Sequence, residues 1–298
     1  MLLVVASQLL RSLAGMRVSP LAHGLQSLMK TTFLKGCSGD KMKYALAAFV
    51  VALAVCLPHQ STAAQQAVVD PLRSPRWEDM RKAFLADAPV VFDPGVQVVS
   101  PANAENPMQV PVTIDATVLG KVQEVVVFAD FNPIVQVLRF FPDQAPAFLG
   151  FRIKLQQSSP VRAAVRTADG VWHVGGTWVN TVGGGCTAPS ATGGSKDWQK
   201  RLNEVSGRQW SEGPNAGRVR LRIVHPMDTG LIAGTPAFFL EDIDFSDAAG
   251  RHLMRVQTYE PVAENPVFTL NLGPGGSQGI EASGRDNNGN TFRARIAP

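Results

Sequence analysis

Cysteine is scarce in this chain, with three in 298 residues, Cys37, Cys56 and Cys186. Motifs that announce catalysis are missing altogether. No HExxH pair, phosphate-binding loop or dinucleotide-binding glycine fingerprint occurs, and no serine stands in a nucleophile elbow. Those absences argue against the commonest zinc-protease, nucleotide-dependent and α/β-hydrolase readings. Long helical periodicity is also missing, and only 17% of residues are charged against 45% hydrophobic, a globular composition with room for one or two domains.

The first 64 residues differ from the rest. From Lys41, "KMKYALAAFVVALAVCLPHQSTAAQQA" has two lysines, a 13-residue apolar run from Ala45 to Leu57, and a small-residue site at Thr62-Ala63-Ala64. That is the layout of a cleaved secretory signal, and the run is short for a bilayer span. The expectation is export, with cleavage after about Ala64 and no membrane span in the mature chain. The signal is complete from Met42, so translation from Met1 or from Met42 ends in the same product. A lipoprotein signal ending at Cys56 is disfavoured by the bulk of Val55.

Cleavage changes two global properties. Residues 1–64 carry six basic side chains and one acid, so their loss takes the formal charge from +4 to about −1. The basic pI of 9.1 therefore belongs mostly to the leader and is no argument for nucleic acid. The leader also takes Cys37 and Cys56 with it. Cys186 is left without an intramolecular disulfide partner, which suggests intermolecular pairing or a free reactive thiol.

The remaining residues alternate in the manner of strands. "VPVTIDA" sets Val110, Val112 and Ile114 against Pro111, Thr113 and Asp115, the period of a half-buried strand. "VQEVVVFA", "IVQVLRFF", "AFLGFRIKL", "VRAAVRT" and "WHVGGTWV" follow at intervals of about ten residues, after a short helix expected near Trp77 to Ala86. In the second half "RVRLRIV" places Val219, Leu221 and Ile223 on one face and Arg218, Arg220 and Arg222 on the other, a solvated arginine face or a docking stripe. "AFFLEDIDF", "LMRVQTYE", "PVFTLNL" and "TFRARI" supply further strands, with a turn at Asp286 to Asn290.

The expected fold is all-β: two Ig-like β-sandwich domains joined by a Gly-rich loop and short helix. The expected boundaries are 1–64 for the leader, 70–182 for the first domain, 183–208 for the cysteine loop and linker helix, and 209–298 for the second domain. The linker helix is read from Trp198, Leu202 and Val205 at i, i+4 and i+7.

The connection contains "NTVGGGCTAPSATGGSK", Asn180 to Lys196, with Cys186 directly behind Gly183, Gly184 and Gly185. Glycines permit positive φ and lack side chains, so the expectation is an unshielded sulfur on a loop from about Gly183 to Gly194. Such a loop, tethered at both ends, would move its midpoint on the order of 20 Å. No His or Lys within the five preceding residues is placed to activate the thiol, which favours a carrier over a catalyst. An incidental cysteine in a linker is the competing reading.

Two other constellations are weaker. "HPM" (His225, Met227) and "HLM" (His252, Met254) would put imidazole and thioether on one strand face, a donor pair that suits copper(I). Methionine is more often core filling, and no metal is assigned. His173, near Asp169 in sequence, reads as a strand residue with a satisfied ring.

"AENPMQVPVTIDA", "VVVFADFNPIVQVLRFFP", "VRAAVRTADG" and the glycine-flanked Cys186 resemble the SoxY subunit of the periplasmic sulfur carrier. "VRLRIVHPMDTG", "AFFLEDIDF" and "YEPVAENPVFTLNL" resemble its partner SoxZ. In order and extent the chain is similar to the fused, quinoprotein dehydrogenase-associated SoxYZ-like carrier. The resemblance implies an Ig-like sandwich for each half, no cofactor and no catalytic activity. It implies sulfur intermediates held covalently on the cysteine of a Gly-Gly-Cys-Gly-Gly arm, as persulfide or thiosulfonate. Its partners would be periplasmic redox enzymes, a Sox-type cytochrome or hydrolase and a quinoprotein dehydrogenase. Only Cys186 and its glycines carry over. Thr187, Ala188 and Pro189 stand where the family has glycine, and the chain continues, so the arm becomes a doubly tethered loop. A further expectation is an intramolecular version of the tight SoxY–SoxZ interface, with the helix near Trp198 in the connection. The other class of reading is a non-covalent adaptor for a periplasmic dehydrogenase.

Overall fold

The computed structural model describes residues 69–190, 198–211, 213, 216–273 and 279–298, all within one compact unit that spans 65–298. The expected leader at 1–64 lies outside the described residues, as does 191–197 of the expected loop. Among the described residues no helix is long and apolar enough to cross a membrane.

The first half contains helix α1 (Trp77–Leu85) and strands β1 (Val90–Phe92), β2 (Gln97–Val99), β3 (Asn103–Ala104), β4 (Val110–Asp115), β5 (Val122–Ala129), β6 (Gln136–Phe141), β7 (Phe148–Ile153), β8 (Ser159–Thr167) and β9 (Trp172–Thr181). The second half contains β10 (Val205–Ser211), β11 (Gly217–Ile223), β12 (Asp228–Thr229), β13 (Ala237–Phe238), β14 (Leu240–Asp247), β15 (His252–Thr258), β16 (Val267–Leu272), β17 (Ile280–Asp286) and β18 (Thr291–Ile296). The molecule is all-β with Ig-like sandwich architecture, as the alternating segments require. Val110, Val112 and Ile114 are buried while Pro111 is exposed, and Val219, Leu221 and Ile223 are buried beneath exposed Arg220 and Arg222.

Both layers continue from one half into the other. One sheet runs β1-β9-β8-β5-β6-β15-β14-β17-β18, with β3 beside β9; the other runs β10-β11-β16-β7-β4-β2. The halves join edge to edge at β6 with β15, where Phe140 faces Val256, and at β7 with β16, where Leu149 faces Leu270. Side chains from both halves, among them Phe140, Leu149, Phe245 and Phe268, fill a single core between the layers. Burying each such side chain contributes about 1.5–3 kcal/mol.

The linker helix is shorter than its periodicity suggests. Trp198–Arg201 forms one 3-10 turn, and Val205 already opens β10, paired with Ile223. Ladder hydrogen bonds to β11 extend the backbone there, and four residues are too few for an amphipathic face.

On the outer face of the first sheet, α1 places Trp77, Met80 and Leu85 over Val126, Phe128, Ala164 and Trp172. Beneath it lies Arg162, 1% exposed. Its guanidinium donates to both carboxylate oxygens of Asp70 at 2.8 and 2.7 Å, and its Nε to Asp130 at 3.1 Å, with the Trp77 ring 5.0 Å away. Burial pushes the Asp70 carboxyl upward, but Arg162 and the N–H groups of Ser74 and Leu72 outweigh it and hold it below the usual range. Arg162→Met strands Asp130 in a dry interior. A loss of about 3–5 kcal/mol in urea unfolding is expected; a loss below about 1 kcal/mol would show that the triad contributes little.

Candidate functional site

The cysteine is seated by a backbone that folds back on the end of β7. Gly183 and Gly184 adopt φ of +87° and +86°, the left-handed region that glycine reaches without a Cβ clash. The Gly184 N–H then donates to Gln156 O at 2.9 Å and the Gly185 N–H to Leu155 O at 3.0 Å. A Cβ on Gly185 would lie 2.2 Å from Pro107 O and 2.8 Å from Leu155 O, so only glycine permits this approach.

Cys186 comes next and is buried, 1% exposed. Its N–H donates to Gln156 Oε1 at 3.2 Å, and its Sγ is 3.7 Å from Lys154 O. Asn132 closes the frame: its Nδ2 donates to Lys154 O at 2.8 Å and its Oδ1 accepts from the Gln156 N–H at 2.9 Å. The second half completes the seat, because Thr229 Oγ1 donates to Cys186 O at 2.7 Å.

The unshielded sulfur expected from the glycines is therefore corrected. Glycine gives close approach as readily as it gives freedom, and here close approach wins. Gly183, Gly184 and Gly185 form a tight docked turn in this structure, not an extended arm.

A lysine also stands beside the thiol, although none is near it in sequence. Lys154 is 3% exposed, and its ammonium donates to the carbonyl oxygens of Met227 and, at 3.3 Å, Glu260. Burial pushes Lys154 down to about 8, while Cys186, Asp228, Glu264 and Glu260 pull it upward. Burial pushes the Cys186 thiol up to about 11, against the Lys154 ammonium and the backbone N–H of Gln156, so the docked sulfur is a neutral thiol at pH 7. Lys154, Asn132, Gln156 and Thr229 were not singled out from sequence. In "FLGFRIKL" a lysine after a strand reads as a surface residue, and only the second half covers it.

The other candidates disperse. His225 is fully buried against Phe238, its Nδ1 accepts the Met227 N–H at 3.1 Å, and Met227 Sδ accepts from Leu240 N at 3.4 Å. A register shift between Phe245 and Ser246 places exposed His252 and buried Met254 on different sides of β15, so period-two reasoning fails there. Among the described residues no group of three or more His, Cys, Asp or Glu could hold a metal ion. His173 Nδ1 lies 2.7 Å from Asp93 Oδ2, a satisfied strand histidine, while Asp169 hydrogen-bonds Thr167.

Comparison with known proteins places these features. Residues 81–186 match the family model of the sulfur oxidation protein SoxY, and residues 211–297 that of the sulphur oxidation protein SoxZ. The SoxY match ends on Cys186 itself. Among solved structures, the sulfur carrier protein SoxY from Chlorobium limicola f thiosulfatophilum is similar at 20% identity, over 35% of this chain and 94% of its own, with a TM-score of 0.32. No curated protein matches the chain.

Two outcomes test the site. In Gly185→Ala the turn cannot dock, so iodoacetamide should label Cys186 at least about tenfold faster at pH 8, because exposure returns the thiol toward its ordinary range. Unchanged labelling would mean that the seat does not control the thiol. For His225, burial lowers the folded pKa to about 4, with Asp286 opposing. The unfolded chain thus binds a proton that the folded one refuses as pH falls from about 6.5 to 4, and stability should drop by up to about 3 kcal/mol. Chemical denaturation across that window should show a flatter slope in His225→Phe.

Proposed function

We propose that this chain, a SoxY-family segment fused to a SoxZ-family segment, carries sulfur covalently on Cys186 for partner redox enzymes and performs no chemistry alone. A Sox-type sulfur-carrier role is what the two families share. The covalent reading rests chiefly on one observation: the SoxY match ends on a cysteine that both halves enclose.

The chemistry needs only a thiolate and a donor. Once undocked, the Cys186 thiol loses its proton to solvent or to a partner's base, and the thiolate attacks the outer sulfur of a persulfide donor. The Cys186 S–S bond forms as the donor's S–S bond breaks, and the donor leaves as its thiolate with the bonding pair. No external oxidant is consumed. Docked, the same sulfur is neutral and hidden, so transfer requires the loop to leave its seat.

The signal-like segment before Gln65 supports export to the periplasm. The partners that fit are a Sox-type cytochrome or hydrolase and a quinoprotein dehydrogenase. A second reading, a non-covalent adaptor, is favoured by one observation: a buried thiol with a raised pKa is what a structural cysteine shows.

Intact mass of the mature protein taken from its native compartment separates the two. The carrier reading expects added mass in multiples of sulfur, or of a sulfonate group, that disappears in Cys186→Ser. A serine variant that retains full pathway function would establish the adaptor instead.

A further inference from the structure

A lysine ammonium is almost never taken out of water without a partner. Lys154 belongs to the SoxY-like half, yet its ammonium rests on carbonyl oxygens of Met227 and Glu260 in the SoxZ-like half. Those oxygens are neutral acceptors, and the carboxylates of Asp228, Glu260 and Glu264 also act on the ammonium. The Cys186 Sγ is 3.7 Å from the backbone carbonyl oxygen of the same lysine, and its charge acts on the ammonium. A neutral thiol has no use for an ammonium. A sulfur adduct does, because a persulfide is a stronger acid than its parent thiol and an S-sulfonate is an anion outright.

We propose that Lys154 is the anion-holding residue of the docked carrier: its buried ammonium pairs with the negative charge of a sulfur group on Cys186 and retains that group in the seat. This rests on the carrier reading and adds the residue that holds the cargo's negative charge. Lys154 forms no bond and moves no electrons. It acts by charge, and the interior strengthens that charge by excluding water.

The pairing should follow the protonation of Lys154. Burial pushes its pKa to about 8 in the unloaded protein, so the ammonium is present at pH 7, and an anion on Cys186 moves its loss to higher pH. The other charged groups acting on it are Asp228, Glu260 and Glu264, with Asp286 beyond His225. None of them differs between wild type and a Lys154 variant. His225, held to about 4, stays neutral throughout the window.

The test loads wild type, Lys154→Met and Lys154→Arg with a low-molecular-weight persulfide. Cyanide then releases the outer sulfur as thiocyanate, timed in native protein and in the same protein unfolded in urea at each pH. Native wild type should release it at least about tenfold more slowly than unfolded protein at pH 7, with the protection falling at a pH above about 8. Lys154→Met should lose most of the protection and the pH step together. Lys154→Arg, whose guanidinium keeps its charge, should retain protection at the pH where wild type has lost it. Equal protection in Lys154→Met, or a pH step that survives in it, overturns the inference and leaves the carrier reading standing. If Lys154→Met does not fold, the wild-type pH step and the arginine variant decide. Wild type that accepts no sulfur on Cys186 sinks both readings.

Discussion

Two antiparallel pairings, β6 with β15 and β7 with β16, carry the ladders that join the halves. Without them each half would present open strand edges from both of its layers, with rows of unpaired N–H and C=O groups. With them the two sheets run unbroken over one core. The consequence for the cysteine is direct. β7 ends at Ile153, and just past it the Lys154 ammonium reaches Met227 O while Thr229 Oγ1 reaches Cys186 O. The seat of Cys186 is therefore built from both halves.

That seat balances opposing effects. Backbone hydrogen bonds from Gly184 and Gly185, and the Thr229 hydroxyl on Cys186 O, favour the docked turn. Each such bond contributes about 0.5–1.5 kcal/mol, while ordering a glycine-rich segment costs more backbone entropy than ordering most sequences. The turn is therefore held by a modest margin, which fits the proposed undocking of Cys186. The thiol and the lysine are both dehydrated, and each favours the charged form of the other. A negative group on the sulfur changes that balance, whereas a neutral thiol does not.

Much of the fold was legible because half-buried strands write their two faces into the sequence. "VPVTIDA" and "RVRLRIV" alternate as their burial does, and "DNNGN" closes a turn in which Asp286 accepts the N–H groups of Asn288 and Asn290. Legibility failed where the backbone broke its period. The bulge in β15 at Leu253, opposite Phe245 and Ser246, parts His252 from Met254, and Val205 pairs into a strand instead of extending a helix. The buried triad of Asp70, Arg162 and Asp130 left no mark, since partners 32 and 92 residues from the arginine share no local spacing.

By itself the sequence determined the β architecture, the leader-like segment before Gln65, the single cysteine on the C-terminal side of that segment, and the likeness of each half to a Sox component. Those are properties of local composition, period and motif. The tertiary structure alone decided that the thiol is covered, that a lysine lies beside it, and that both halves build its seat. Glycine was ambiguous because the absence of a Cβ permits swinging and close packing alike. What resolves it is Pro107 O and Leu155 O, two carbonyls distant in sequence that leave no room for any other residue at position 185.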